Sequence, residues 1–230
     1  PSDEKINLLV WVRMTLQNRP FLFLVTATSC YWFGLNLLIM LIPYFVQDYL
    51  GLEEGAVTLV MGPFLAMNAV CFIGFNTLSK RLGKYPLFLA TIAGTALAAP
   101  LLSGVGLLDL GSGLTQTAVV MAIIGIPVAG FMMLPYALLA DVVDHDEQLT
   151  GRRREAIYFG VQAVFQKVTV GLSVFVFGMI VLADGKVSSV AALRVVPFVA
   201  SGACLVGLVA FLRYPLREGG VLNPSCSRSR

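Results

Sequence analysis

The 230-residue sequence predicts an all-α membrane protein, a bundle of six transmembrane helices, and three observations carry that prediction. Hydrophobic residues make up 57% of the chain and charged residues only 13%, with a mean hydropathy of +0.83; that balance does not suit a water-exposed surface around one core. The charges are concentrated between apolar runs, each long enough to cross a bilayer. Lysine and arginine, finally, fall almost entirely in alternate connections.

In chain order, residues 1–20 read as an amphipathic lead-in at the cytoplasmic face, because the apolar residues of Ile6 to Arg19 are interrupted by Arg13 and Gln17. A flexible linker is the alternative. The bundle occupies residues 21–213, with helices at about 21–47, 55–79, 85–108, 115–140, 156–183 and 195–212. About 20 helical residues at roughly 1.5 Å each cover the hydrocarbon core. Turn-forming polar connections separate them: Asp48 to Glu54, Lys80 to Lys84, Gly104 to Gly113, Asp141 to Glu155 and Asp184 to Arg194. Residues 214–230 read as a disordered cytoplasmic tail. The chain begins at Pro1 with no signal-peptide pattern, which reads as a piece of something longer.

Orientation follows from the basic residues. Lys5, Arg13, Arg19, Lys80, Arg81, Lys84, Arg152, Arg153, Arg154, Arg213, Arg217, Arg228 and Arg230 share one side, against Lys186 and Arg194 on the other. Positive charge is retained in the cytoplasm, so both termini are expected there, in a plasma or inner membrane.

The net charge of +3 gives no reason to expect a nucleic-acid partner. Cys30, Cys71, Cys204 and Cys226 are scattered without the spacing of a disulfide framework or a metal site. Asp141-Val-Val-Asp144-His145-Asp146-Glu147 could suggest metal ligands, but Arg152, Arg153 and Arg154 follow at once, and ion pairing across a loop explains it equally well. No nucleophile has a base beside it and there is no second histidine, so neither a catalytic site nor a cofactor is expected.

Lys167 is the leading functional candidate. It lies eleven residues beyond Ala156, about 16 Å along a helix, where an ammonium costs roughly 2.5 to 3.5 kcal/mol to insert. It should therefore face a polar interior or a partner. Gln162, Gln166, Thr169 and Ser173 recur at spacings of four, three and four as a polar stripe, and Gly160, Ala163, Gly171 and Gly178 form a small face around the lysine. A substrate or coupling site is the functional reading; a lysine paired with a neighbouring helix is the plain one. On the first helix Ser29, Trp32, Asn36, Met40, Pro43 and Gln47 share a face, where Trp32 could stack on a ligand and Asn36 hold a hydroxyl. Ordinary packing accounts for them as readily. Ile42-Pro43-Tyr44 and Leu134-Pro135-Tyr136 hint at two three-helix repeats of inverted topology.

Ala140-Asp-Val-Val-Asp144, then Gly151-Arg-Arg-Arg-Glu155-Ala-Ile-Tyr-Phe-Gly160, Gln162 and Lys167 resemble the tenth and eleventh helices of the glycoside, pentoside and hexuronide cation symporters, a branch of the major facilitator superfamily. Asn18-Arg-Pro-Phe21 is similar to the start of that family's seventh helix, and Lys80-Arg-Leu-Gly-Lys84 to its loop between helices eight and nine. The resemblance implies the C-terminal half of a twelve-helix fold, partnered by an N-terminal six-helix half that mainly binds the coupling cation, Na+ or H+. It implies a sugar or glycoside substrate, with a lysophospholipid as the alternative, and membrane lipid as surroundings. Lys167, with Gln162, Gln166, Trp32 and Asn36, would then form the substrate or coupling site. Asp141, Asp144, Arg153 and Glu155 would belong to a cytoplasmic gate. A membrane scaffold that transports nothing is the competing class, and it would not require a lysine at that depth.

Overall fold

The computed structural model describes residues 8–106, 111–182, 190–218 and 221–222. Lys5, Ile6, Asp109, Asp184, Lys186, Cys226, Arg228, Arg230 and the tail beyond residue 222 lie outside them.

A short helix, α1 (Leu8–Gln17), precedes the six long ones: α2 (Arg19–Tyr44), α3 (Ala56–Leu82), α4 (Lys84–Ala98), α5 (Gly113–Thr150), α6 (Glu155–Leu182) and α7 (Val190–Leu212). A hairpin of β1 (Leu216–Glu218) and β2 (Val221–Leu222) follows. Each of the six spans is long and apolar enough to cross a membrane.

The helix ends follow from local chemistry. Asn18 caps α2 by accepting from the Phe21 N–H at 3.4 Å, and Pro20 in the first turn gives up no needed donor. Past Pro43 the helix changes to π-helical turns over Phe45–Tyr49, a register shift often found beside a break in the hydrogen-bond ladder. Gly83, at φ +85°, separates α3 from α4 with no further linker. Pro100 tightens the end of α4 into a 3-10 segment over Ala99–Gly104.

One boundary corrects the sequence reading. Residues 141–150 are not a loop: α5 runs unbroken from Gly113 to Thr150, and only residues 151–154 connect it to α6. No Gly or Pro intervenes between Tyr136 and Thr150 to stop it, and it ends where Gly151 takes a left-handed φ of +67° and its N–H bonds the Glu147 carbonyl at 2.8 Å.

Packing exchanges partners between the two triplets. The main contact of α3 is with α5, that of α6 is with α2, and α4 and α7 pack together behind α5 and α2. The helices therefore form an arc with α3 and α6 at its tips. Two three-helix repeats related by a two-fold axis would pack in this way, and Pro43 and Pro135 interrupt α2 and α5, the first helix of each triplet. Close backbone approach holds the two strongest contacts. A Cβ on Gly125 would lie 2.7 Å from the Phe64 carbonyl oxygen of α3, and one on Gly34 2.8 Å from the Ala200 carbonyl oxygen of α7. The core lies among α2, α4, α5 and α7, where the Tyr31 ring stacks on Phe131 at 3.7 Å and the Tyr31 and Thr95 hydroxyls hydrogen-bond at 2.6 Å. On α3 and α6, by contrast, Leu65, Val70 and Ile73, and Val164, Val168 and Phe175, are exposed.

Candidate functional site

Lys167 sits near the middle of α6, and its side chain is exposed on the face turned away from α2. Tyr158, Val161, Gln162, Ser173 and Phe177 form the buried face of that helix, and five residues at about 100° each carry Lys167 well round from Gln162. The expected polar interior is therefore not supplied by this chain: among the described residues the ammonium has no hydrogen-bond or ion-pair partner. Gly160, Ala163, Val164, Val168 and Gly171 surround it, exposed as well, and a Cβ on either glycine would touch nothing. The polar stripe is divided. Gln162 and Ser173 are buried, Gln166 and Thr169 are half-buried, and Ser173 and Thr169 bond to helix carbonyls of Val170 and Phe165. The Gln162 Oε1 is buried without a partner.

On α2, Trp32 and Asn36 are half-buried on one stripe, as their spacing predicts. The Asn36 amide donates to the Trp32 carbonyl at 2.8 Å, and the indole meets the Phe131 ring edge-on at 5.3 Å. One amide proton is thus committed to the helix; the Asn36 Oδ1 stays free of it. The structure does not bring Lys167 into contact with Trp32, Asn36 or Gln162.

The end rich in basic residues is organised by ion pairs. Lys84 donates to Asp141 Oδ1 at 2.6 Å and to the Ala137 carbonyl at 3.3 Å, joining the start of α4 to α5. Arg153 reaches Glu155 at 3.1 Å and Glu147 at 3.6 Å, all in water; these carboxylates, Glu155 foremost, push its already high pKa up further. Asp144 is exposed and acts on Arg153 only through its field.

The pair with the strongest geometry involves neighbours of the expected residues. Arg154 forks onto Asp146, with Nε 3.0 Å and Nη2 2.6 Å from the two carboxylate oxygens, and the two side chains are only 4% and 8% exposed. The guanidinium lies 5.9 Å from the Trp11 ring centre, and its Nη1 donates to Met14 Sδ at 3.7 Å. Asn18 Nδ2 donates to the Tyr158 hydroxyl at 2.7 Å close by. This cluster pins α1 onto α5 and α6. The eight-residue separation of opposite charges across Gly151 was the available sequence signal. Next to Lys84, Tyr85 stacks with Phe211 at 5.1 Å and with Tyr214 at 6.3 Å. The Tyr214 hydroxyl is buried and unpartnered; burial pushes its pKa well up, and the Asp141 charge adds to the shift.

At the opposite end one hydroxyl takes two partners. Tyr49, closing the π-helical turns, donates to the Val105 carbonyl at 2.9 Å and accepts from Arg194 Nη2 at 2.8 Å. Gly106, at φ +78°, has to be a glycine, since a Cβ there would lie 2.6 Å from that hydroxyl oxygen.

The six apolar spans thus carry a half-buried Trp–Asn stripe on α2 and a mid-span lysine on α6. The family model described as MFS/sugar transport protein matches residues 1–218. This chain belongs to that family. Its members are transporters, and this one is an integral membrane protein by the length and composition of its six spans. It is 30% identical to a protein named as an uncharacterized symporter from Synechocystis, over 81% of this chain and 34% of that one. It is 28% identical to a lactose permease of Lactobacillus delbrueckii subsp. bulgaricus, over 83% and 30% of the two chains. With the sodium-dependent lysophosphatidylcholine symporter 1 of Gallus gallus it shares 26% identity, over 94% and 42%. The chain thus spans about a third of the length of the first two relatives and somewhat more of the third. Among the described residues of this family member, no group of three or more His, Cys, Asp or Glu is placed to hold a metal.

Proposed function

We propose that this chain is the C-terminal six-helix half of a cation-coupled symporter that carries a sugar or glycoside by alternating access. The observation that carries the reading is Lys167, a charged side chain at mid-span with no partner among the described residues. A charge at that depth needs a polar cavity or a counter-charge, and both are available if a second bundle faces α6. The uncovered faces of α3 and α6, at the two tips of the arc, are where an N-terminal half would dock. Between the bundles Lys167, Gln166, Trp32 and Asn36 would then border one cavity, with Gln162 beneath it.

No carboxylate lies near the middle of any described span, so the N-terminal half would supply most of the Na+ or H+ site. The basic end would face the cytoplasm, together with both termini, in the plasma or inner membrane. There Asp141, Asp144, Arg153 and Glu155 would act as the gate, with Lys84, Asp146 and Arg154 as its fixed partners.

A lysophospholipid is the second reading of the substrate. Val164, Val168 and Leu172 flank Lys167 and are exposed, a surface better suited to an acyl chain with an anionic headgroup than to several hydroxyls.

The test is uptake of labelled glycosides and lysophospholipids by the full-length native protein in proteoliposomes, under sodium and proton gradients. Lys167→Ala is expected to abolish gradient-driven accumulation while the protein still folds and inserts in the membrane, because among the described residues the lysine makes no hydrogen bond or ion pair. Normal accumulation by the variant would remove Lys167 from the site. A fully folded wild type that accumulates neither class would favour a scaffold.

A further inference from the structure

Tyr31 and Trp32 of α2, Phe88 of α4 and Phe131 of α5 form one aromatic cluster, and Phe131 is its hub. The Phe131 ring stacks on Tyr31 at 3.7 Å, lies nearly parallel to Phe88 at 6.2 Å, and meets the Trp32 indole edge-on at 5.3 Å. Tyr31, Phe88 and Phe131 are fully enclosed, whereas Trp32 is half-buried. Of the four rings, the indole alone has surface left to offer a ligand.

The hub is held from three helices. Thr95 donates to the Thr91 carbonyl at 3.2 Å, so the Tyr31 hydroxyl is the donor in its 2.6 Å bond to Thr95, and the Tyr31 stack is tied to α4. Next to Phe131, a Cβ on Gly130 would lie 2.7 Å from both the Phe75 ring of α3 and Thr91 Oγ1 of α4. Pro135 has no N–H to give the Phe131 carbonyl four residues back. The ring thus stands on the clamped side of the weak point in α5.

The indole and its neighbour also have polar atoms to spare. Among the described residues the Trp32 N–H makes no hydrogen bond, and Asn36, one turn along the same face, uses an amide proton on the Trp32 carbonyl and keeps its Oδ1 free. A free donor and a free acceptor beside an open aromatic surface suit a hydroxylated ring better than an acyl chain.

We infer that Phe131 is a positioning residue for the substrate: it fixes the Trp32 indole as a platform on which a sugar ring stacks, with the indole N–H and Asn36 Oδ1 placed for its hydroxyls. An indole already held in one orientation has little freedom left to lose when a ligand binds, and affinity gains by that amount. The inference rests on the transport reading above and narrows its substrate, but the hold of Phe131 on Trp32 can be measured without any solute.

The experiment compares Phe131→Leu with Phe211→Leu in the full-length native protein. Both remove an enclosed ring, and Phe211 packs on Tyr85, Phe88 and Tyr214 instead of on Trp32. Phe131→Met, whose flexible chain fills more of the space, takes the place of the leucine variant if that one does not fold. One readout is KM and maximal rate for uptake of labelled lactose and of a labelled lysophosphatidylcholine in proteoliposomes. The other is acrylamide quenching of Trp32 emission without solute, taken as the difference from the matching Trp32→Phe variant. Phe131→Leu should raise KM for lactose about threefold or more and leave the maximal rate within about twofold, and Trp32 should quench with a steeper slope. Phe211→Leu should lower the unfolding temperature and leave both readouts at wild type. An unmoved quenching slope in Phe131→Leu, or equal changes in Phe211→Leu, would overturn the positioning role. Steeper quenching with an unchanged lactose KM would place the indole outside the site, and an equal rise in KM for lysophosphatidylcholine would overturn the sugar ring. Steeper quenching in a folded protein that takes up neither solute would contradict the transport reading and leave the hold of Phe131 on Trp32 standing.

Discussion

The two ends of the bundle solve the same problem with different chemistry. At the basic end, α4, α5 and α6 are joined by ion pairs, Lys84 with Asp141, Arg153 with Glu147 and Glu155, and Arg154 with Asp146, and Arg154 also meets Trp11 and Met14 of α1. At the other end the π-helical turns after α2 and the residue after the 3-10 segment meet α7 at the Tyr49 hydroxyl, with Arg194 as the one cation among the described residues there. The acids of α5 lie in its last turns, where the helix dipole opposes them, and the neighbouring arginines and Lys84 offset that. The basic residues gathered at one end thus fasten it. Fastening by charge leaves alternatives, since an ion can exchange partners; fastening by one hydroxyl between a carbonyl and a guanidinium does not.

Substitutions can break this contrast in order of size. Arg154→Ala should be the most damaging, because it strands the Asp146 carboxylate; removing one partner of a buried pair costs about 3 to 5 kcal/mol. The expected outcome is a large fall in unfolding temperature and in the amount recovered from membranes, and Arg154→Met combined with Asp146→Leu should restore most of both. Tyr49→Phe comes next. It leaves the Val105 carbonyl and the Arg194 guanidinium short of a partner, worth about 1 to 3 kcal/mol for buried groups, and denaturation in detergent should register the loss. Arg153→Ala should be the mildest: its ion pairs lie in water and are screened by salt, so the unfolding temperature should move little, and less as ionic strength rises. A large effect there would mean that the water-exposed pairs matter to folding as much as the buried one, and the contrast between ends would lose its sharpest instance.

Most of the fold was legible in the sequence because a bilayer imposes it. Charge-free runs of some twenty residues have few alternatives to helices, and all six spans appear within a few residues of the expected bounds, apart from the end of α5 and the start of α7. The α5 error has a physical cause. Charged residues were read as loop, but charge does not end a helix; Gly151 does, and until that point nothing in the backbone objects.

The candidate site was less legible. Spacing placed Trp32 and Asn36 on one face and Lys167 apart from Gln162 in angle, yet it could not say which face of α6 packs on α2. That depends on contacts made by Tyr158 and Phe177 far away in sequence. The charged end shows the same limit. Arg153 and Asp144 were singled out, whereas burial selects Arg154 and Asp146, one and two residues further on, because the turn at Gly151 and the ring of Trp11 decide which side chains are enclosed. Spacing also did not show that one Asn36 amide proton is bonded to its own helix, which leaves Oδ1 as its free acceptor.

The π-helical turns at the end of α2 have a consequence for how this chain can vary. In them Leu50 donates to the Phe45 carbonyl at 3.1 Å, five residues back, so the segment holds one residue more per turn than an ordinary helix would. Losing a single residue from Phe45–Tyr49 would let the helix close normally and rotate everything beyond it by about 100°, carrying the Tyr49 hydroxyl away from Val105 and Arg194. The number of residues is therefore more constrained than most of the side chains, Tyr49 excepted, and related chains should keep the length of this stretch.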